Sequence, residues 1–243
     1  MIQDLHSHTY YSHCGKDDPR VMIEAAIAGG IELFGFSDHN YGIAAKRPNE
    51  FRKGQEGDCY RDYFDYITLL KEEYKDRITI LRGIEVRIWK NGQELPDDAD
   101  VSYYDYAFIE CLDFPETVAN GDLFGYAKRL GCPCGLAHTD MFQYIESIGE
   151  DPETYFRKMA EADIFWELNV NYDSIHGWRE HEYVTRFFAD KEQQDIVRRS
   201  GVKLSIGFDG HNIEDYLPER IRDFCTTLER LDLPMAFPLQ KMK

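Results

Sequence analysis

Histidines and carboxylates, the residue types that bind divalent metals, cluster in short segments of this sequence. His6, His8 and His13 all fall within the first 13 residues. His6 and His8 lie two residues apart, so in an extended segment their side chains point to one face. Asp209 and His211 repeat that spacing near the other end. Because buried imidazoles and carboxylates need a compensating charge, we interpret these residues as ligands of a cluster of divalent ions.

Strand-like apolar segments alternate with segments of helical spacing and carry these residues at their ends. Seven such strands with no long Pro/Ser linker predict a single α/β domain over residues 1–243, with a parallel sheet closed into a barrel or left open and doubly wound. The carboxyl ends of barrel strands meet on one face, which would bring the ligands together. The predicted strands are MIQDLHSH, IELFGFSDH, ITILRGIEV, YDYAFIECL, CGLAH, IFWELNV and VKLSIGFD. The predicted helices are PRVMIEAAIAGG, YRDYFDYITLLKEEY, DLFGYAKRL, DPETYFRKMAEA, EYVTRFFADKEQQDIVRRS and PERIRDFCTTLERL.

Composition narrows the possible partners. The net charge of −17, from 45 acidic and 28 basic residues, repels nucleic-acid backbones and anionic membranes. We find no apolar run of transmembrane length and no secretory signal. Six scattered cysteines do not suggest a disulfide framework, so we expect a cytoplasmic protein.

Six short motifs occur in an order that resembles the PHP (polymerase and histidinol phosphatase) domain family. They are HSH (6–8), SDH (37–39), GIE (83–85), AH (137–138), ELN (167–169) and FDGH (208–211). The resemblance implies a distorted (β/α)7 TIM-like barrel that binds two or three divalent ions (Zn, Mn or Fe) and hydrolyses phosphoesters. The stretches HTYYSHCGKDD and AHTDMF are most similar to the histidinol-phosphatase branch.

The resemblance also implies which residues hold each ion. Glu85 would bridge two ions, the second of which also binds His138. The family places a histidine at the end of strand four, where this sequence has Asp113, with Glu110 as the alternative. The first ion would be held by His6, His8, Glu85 and Asp209, and the third by His13, His39 and His211.

These assignments lead to a functional hypothesis. Hydroxide formed between the ions bridged by Glu85, with Asp209 among the catalytic ligands, would attack a small phosphomonoester such as histidinol phosphate. Arg179, or else Arg87, would bind the substrate phosphate. Asp38 and Asp140 would support metal-bound histidines or protonate the leaving group, or would instead cap helices.

Three alternatives remain open at this point. A nuclease or phosphodiesterase would need a basic groove, which the charge of −17 disfavours. A metal-binding protein without catalysis is the second. A metal-dependent amidohydrolase is the third, but FIECLD has no lysine at strand four. We interpret His176 and His181 as surface residues, and Glu167 and Asn169 as packing or supporting residues.

Overall fold

Seven parallel strands form the sheet of this protein, and their order in space follows their order in the chain. The structure, a computed structural model, describes residues 1–50 and 59–237, apart from the side chains of 46–50. The domain predicted over 1–243 therefore extends into segments outside the described residues. The strands are β1 (Gln3–Asp4), β2 (Leu33–Phe36), β3 (Thr79–Arg87), β4 (Tyr106–Glu110), β5 (Cys134–Leu136), β6 (Ile164–Asn169) and β7 (Leu204–Gly207).

The sheet closes on itself where the last strand meets the first. The backbone N–H of Leu5 donates to the carbonyl of Ile206 at 3.0 Å, and the N–H of Asp209 donates to the carbonyl of His6 at 2.7 Å. Because these hydrogen bonds continue the parallel ladder from β7 to β1, the predicted barrel is confirmed. Its carboxyl-terminal rim therefore brings residues from both ends of the chain together.

Helices cover the outside of the barrel and separate every pair of successive strands except β3 and β4. None of the helices in the described residues is both long and apolar enough to cross a membrane. The helices are α1 (Pro19–Ala28), α2 (Asn40–Glu50), α3 (Cys59–Tyr74), α4 (Leu123–Leu130), α5 (Met141–Ser147), α6 (Pro152–Glu161), α7 (Glu182–Ala189), α8 (Lys191–Ser200) and α9 (Pro218–Arg230).

The helix predicted over EYVTRFFADKEQQDIVRRS is divided in two at Asp190. Asp190 has an extended backbone (φ −104°, ψ 103°), and its carboxylate accepts hydrogen bonds from the N–H groups of Glu192 and Gln193. An aspartate in this position caps the helix that follows it. The apolar spacing continues across Asp190, which is why the sequence predicted one helix. Two helices, α2 and the seven-residue α5, were not predicted.

Aromatic side chains fill the barrel interior beneath the rim. Tyr106 donates hydrogen bonds to the carbonyls of Leu5 and Phe36. A Cβ added at Gly83 would lie 2.2 Å from the Tyr106 ring, so only glycine leaves room for it there. Phe108, one layer higher, stacks on the His6 ring with centroids 4.8 Å apart. These layers form a packed floor under the polar rim.

The ion pair between Arg82 on β3 and Asp105, which directly precedes β4, links these two neighbouring strands, and its contribution to stability can be tested. Arg82 Nε and Nη2 lie 2.9 and 2.7 Å from the two Asp105 oxygens. Burial alone would raise the Asp105 pKa, but the hydrogen bonds from Arg82 lower it overall. We expect Asp105→Asn to lower the free energy of unfolding by about 1.5–3 kcal/mol in urea denaturation at pH 7.

The same pair predicts a pH dependence. An acid whose pKa is lower in the folded state stabilises the fold above its unfolded pKa and loses that effect as the pH falls. The difference between wild type and Asp105→Asn should therefore shrink below about pH 4. Asp98→Asn, at an exposed position, is the control and should not change stability at either pH. An equal difference at both pH values would contradict the role of the ion pair.

Candidate metal centre

The carboxylate of Glu85, on β3, lies at the middle of the polar rim and is fully buried. Its Oε1 is 3.4 Å from both His6 Nε2 and His138 Nε2. Its Oε2 is 3.4 Å from His8 Nε2 and 2.8 Å from His39 Nδ1. Neither oxygen accepts a hydrogen bond of normal geometry from the described residues. Each oxygen thus faces two imidazole nitrogens, as expected of a carboxylate that bridges metal ions.

Three further ligand atoms meet beside Glu85. Nε2 of His6 and Nε2 of His8 are 3.2 Å apart. Oδ1 of Asp209 lies 3.5 Å from the first of these nitrogens and 3.0 Å from the second. These groups directly follow the first and last strands of the barrel, whose ends the sequence predicted to meet. Two nitrogens and two carboxylates at this spacing form a compact set of ligands for one divalent ion.

Charge around these groups favours cations. Burial lowers the pKa of His6, whereas the carboxylates of Glu167, Asp209 and Glu85 raise it well above its usual value. Burial also lowers the pKa of His211, but Asp209 is the main reason that it rises to about 10. The carboxylates therefore stabilise positive charge at the rim, whether protons or metal ions carry it.

Two residues of the rim have left-handed backbones. Asp209 has φ 56° and His138 has φ 30°, and neither is glycine. Such conformations cost of order 1–3 kcal/mol each and are concentrated at functional sites. The surrounding structure therefore holds these side chains in place at the expense of backbone strain.

Glu167, on β6, fixes the orientation of His6. Its Oε1 is 2.7 Å from His6 Nδ1, and its Oε2 accepts a hydrogen bond from the backbone N–H of His138 at 2.7 Å. A Cβ at Gly207 would lie 2.1 Å from Oε1, so glycine on β7 leaves space for this carboxylate. With Nδ1 occupied by the carboxylate, His6 presents Nε2 to the centre, an arrangement typical of metal-binding histidines.

This contact gives a second prediction. We expect Glu167→Gln to lower metal affinity and activity by at least about tenfold, because loss of a carboxylate behind a ligating histidine typically costs 10- to 100-fold. Metal titration of the purified variant, with circular dichroism to verify folding, measures the effect. Unchanged affinity would show that Glu167 only contributes to packing.

Asp38 supports the loop after β1 rather than a metal-binding histidine. Its oxygens accept hydrogen bonds from the N–H and hydroxyl groups of Thr9 and Ser12 at 2.7–3.0 Å, and from the Tyr63 hydroxyl at 2.9 Å. Ser12 Oγ lies 3.2 Å from His8 Nδ1. Asp38 therefore acts on His8 only through Ser12, and the described residues show no direct contact between Asp38 and a histidine nitrogen. This corrects the expected contact.

Asp140 takes the helix-cap position that the sequence left open as one alternative. Its carboxylate accepts a hydrogen bond from the N–H of Gln143 at 3.1 Å, at the start of α5. Its other oxygen pairs with Arg186 on α7. Both Asp140 and Arg186 line a cavity of about 660 Å³ that His138 also lines.

At the end of β4 the structure favours Glu110 over Asp113 as the residue that meets the centre. Glu110 is buried, and its Oε1 lies 3.4 Å from His39 Nδ1 and 2.7 Å from Arg87 Nε. Asp113 is exposed and lines the cavity beside His138. Cys111, with φ 66°, turns the backbone between them.

The outer side of the centre differs from the prediction at His13. His13 is exposed, and its ring centroid lies 5.9 Å from that of His39. Instead, the sulfur of the neighbouring Cys14 lies with ring nitrogens of His8 and His39, and these three atoms are all within 4.8 Å of one another. His211 is buried, and its ring stacks on His8 with centroids 4.7 Å apart.

Two histidines that the sequence analysis placed on the surface lie at the rim, so that interpretation is wrong. His176 Nδ1 is 2.8 Å from Asp173 Oδ1, and its Nε2 is 3.6 Å from Asp209 Oδ2. The His181 ring lies nearly parallel to that of His138, with centroids 6.3 Å apart. Burial, together with His138, lowers the pKa of His181 to about 4. Their position could have indicated this role, because both histidines follow the end of β6 and the ends of the other strands carry predicted ligands.

A comparison of the whole chain with known proteins decides its family. The family model of the PHP domain matches residues 4–211. This chain belongs to the PHP domain family. A probable phosphatase of Acetivibrio thermocellus is 24% identical, with 96% of this chain and 88% of the relative covered.

One solved structure shares the barrel of this PHP domain. A histidinol phosphate phosphatase from Lactococcus lactis, complexed with zinc, L-histidinol and phosphate, has a TM-score of 0.58 at 19% identity, and the match covers 96% of this chain and 95% of that one. A putative histidinol phosphatase from Listeria monocytogenes has a TM-score of 0.47 at 16% identity, over 88% and 96% of the two chains. The first likeness confirms the predicted fold, a distorted (β/α)7 barrel.

The donor atoms of this PHP domain fit divalent metal ions. Both oxygens of Glu85, Nδ1 of His211 and Oδ2 of Asp173 are buried without a hydrogen-bond partner among the described residues. Buried polar atoms are rarely left unpaired, and coordination to a cation satisfies them. Imidazole nitrogens combined with carboxylate oxygens suit zinc, manganese and iron.

The arginines of this PHP domain differ in how freely they can reach a phosphate. Arg87 is half-buried, pairs with Glu110 and lies 4.5 Å from the centre of the Tyr41 ring. Arg179 is exposed in the segment after β6, and it forms no ion pair with the residues that the structure describes. Arg186, which the sequence analysis missed, lies in the cavity next to His138.

Proposed function

We propose that this PHP domain hydrolyses a small phosphomonoester at a centre of two or three divalent ions. The observation that carries the proposal is the position of Glu85, whose two oxygens each face two imidazole nitrogens. Such convergence of ligands from separate strands has no evident structural purpose without cations, because it places buried charged groups together. Membership of the PHP family and the phosphatase among its relatives support the same conclusion.

The ligands proposed for these ions follow the geometry. Glu85 would hold two ions, with His138 Nε2 beside its Oε1, while His39 Nδ1 contacts its Oε2. When bound, the ions supply Lewis acidity toward phosphate oxygens and a source of hydroxide near neutral pH. Glu167 keeps His6 in the orientation that a ligand needs, and Ser12 does the same for His8. The first ion is assigned to His6, His8, Glu85 and Asp209.

Cationic side chains near the rim are proposed to hold the phosphate. Arg186 faces the cavity beside His138, where its guanidinium can bind phosphate oxygens as charge builds up. Asp140 pairs with Arg186 and so fixes its direction. Arg179 can approach the phosphate from the segment after β6. Arg87 is held by its ion pair with Glu110 and does not bind the phosphate in this proposal.

Acidic residues in the same cavity suggest a leaving group with positive charge. Asp113, Glu146 and Glu182 line it together with His138. Their carboxylates would attract an ammonium or imidazolium group while the ions and Arg186 hold the phosphate. L-Histidinol phosphate has this chemistry, and the Lactococcus lactis neighbour was solved with L-histidinol and phosphate. The net charge of −17 disfavours nucleic acid as substrate.

Phosphate release from a panel of esters tests the proposal. The purified full-length protein would first be analysed for bound metals and then given L-histidinol phosphate, sugar phosphates, a nucleoside monophosphate and a generic phosphodiester. We expect the monoester with the cationic alcohol to give the highest kcat/KM. Faster cleavage of the diester would overturn the assignment to a monoesterase, and no hydrolysis by the fully loaded protein would favour a metal-binding role without catalysis.

A further inference from the structure

A thiol and two imidazoles meet at the outer side of the metal centre. Cys14 lies in the loop between β1 and α1, next to the stacked rings of His8, His39 and His211. The ligand atoms of Cys14, His39 and His8 all lie within 4.8 Å of one another. His211 is only 5% exposed, and its Nε2 lies 3.7 Å from Asp209 Oδ1. These groups therefore lie together at the outer side of the centre.

The fold of the loop explains why Cys14 points inward and His13 does not. The N–H of Ser12 donates to the carbonyl of Thr9 at 2.9 Å, and Asp38 binds both residues from inside. A Cβ at Gly15 would lie 2.1 Å from the Thr9 carbonyl oxygen, so the chain folds tightly back at that glycine. In this tight turn Cys14 lies beside the rings of His8 and His39, and His13 is left exposed.

Each partner of Cys14 is arranged as a metal ligand is. His39 has its Nδ1 2.8 Å from Glu85 Oε2, which leaves Nε2 for coordination on the other side of the ring. His211 Nδ1 lies 3.9 Å from Asp173 Oδ2, and its Nε2 lies 3.7 Å from Asp209 Oδ1. The thiolate is the form of a cysteine side chain that binds metal ions.

We propose that Cys14, and not His13, is a ligand of the outermost ion, together with His39 and His211. This inference rests on the proposed metal centre and specifies its third site. A sulfur ligand is softer than nitrogen or oxygen and favours zinc over manganese. The third position would then discriminate between metals, whereas the sites around Glu85 have only nitrogen and oxygen donors.

Cobalt substitution of the full-length protein tests the ligand directly, because a cobalt–thiolate bond gives a charge-transfer absorption in the near ultraviolet that nitrogen and oxygen ligands do not give. We expect the band in the wild type, in His13→Gln and in Cys132→Ser, a control at a half-buried cysteine before β5. We expect Cys14→Ser to lose the band and to retain fewer metal ions per chain, with the third ion lost. Cys14→His, which offers a nitrogen ligand, should recover the ion without the band and reports on the site even if Cys14→Ser folds poorly.

The outcomes separate this inference from the proposed function. If cobalt loads and supports phosphate release but no wild-type band is seen, the thiolate ligand is overturned and the phosphatase stands. Loss of the third ion in His13→Gln, with full occupancy in Cys14→Ser, also overturns it. If no cobalt binds to the wild type, the metal centre itself fails.

Discussion

Replacing Glu85 with glutamine is expected to lower kcat/KM for phosphate release by at least about 10³-fold. This exceeds the roughly 10- to 100-fold loss that is typical when a residue hydrogen-bonded to a metal ligand is replaced. Glu85 is the one carboxylate in the described residues that faces His6, His8, His39 and His138 at 2.8–3.4 Å. An amide carries no charge, binds metals more weakly and places an NH₂ group against some of these rings. The ions that depend on the bridge should therefore be lost.

Metal analysis together with steady-state kinetics measures this effect. We expect Glu85→Gln to bind fewer metal ions per chain than the wild type. Glu229→Gln, an exposed position on α9, is the matched control and should retain both metals and activity. Full metal occupancy with near-normal turnover in Glu85→Gln would refute the bridging role.

The second large effect is expected at Glu110. Glu110→Gln should lower activity by about 10²-fold, because it weakens the contact with His39 and leaves the half-buried Arg87 without its charged partner. Asp113→Asn removes the same charge from the exposed position three residues later, and it should leave metal content and kcat unchanged. A loss of one exposed ionic contact with substrate corresponds to no more than about a fivefold rise in KM.

Parallel kinetics and metal analysis of the two variants distinguish the two assignments of strand four. The opposite result, in which Asp113→Asn loses metal and Glu110→Gln does not, would return the strand-four position to Asp113. Because both substitutions remove a single negative charge, a difference between them reflects position and not net charge.

The barrel and the residues around Glu85 could be predicted because they depend on local pattern and on a general property of parallel strands. The spacing of His6 and His8 places both on one face of an extended segment, and ends of parallel strands meet on one rim. These two facts bring Asp209 next to His6 although the chain separates them widely. The order of the six short motifs in the sequence likewise indicated membership of the PHP family.

The remaining differences arise where tertiary contacts decide the direction of a side chain. Cys111 adopts φ 66°, and this turn, which no sequence pattern revealed, leaves Glu110 inside and Asp113 outside. In the same way, Asp38 and Gly15 fix the loop that turns Cys14 inward. His176 reaches the rim because the long segment after β6 folds back over it, and the length of a loop does not specify its path.

The joining of β7 to β1 has a consequence for the way this protein acquires its ions. The backbone N–H of Asp209 donates to the carbonyl of His6. One side of the centre is therefore built from residues that follow β1 and β7, the two strands that lie farthest apart in the sequence. A growing chain on the ribosome contains His6, His8 and Glu85 well before Asp209 and His211 are added. Tight loading of metal should therefore wait until β7 has been made and has paired with β1, and bound ions would then hold the first and last strands of the sheet together.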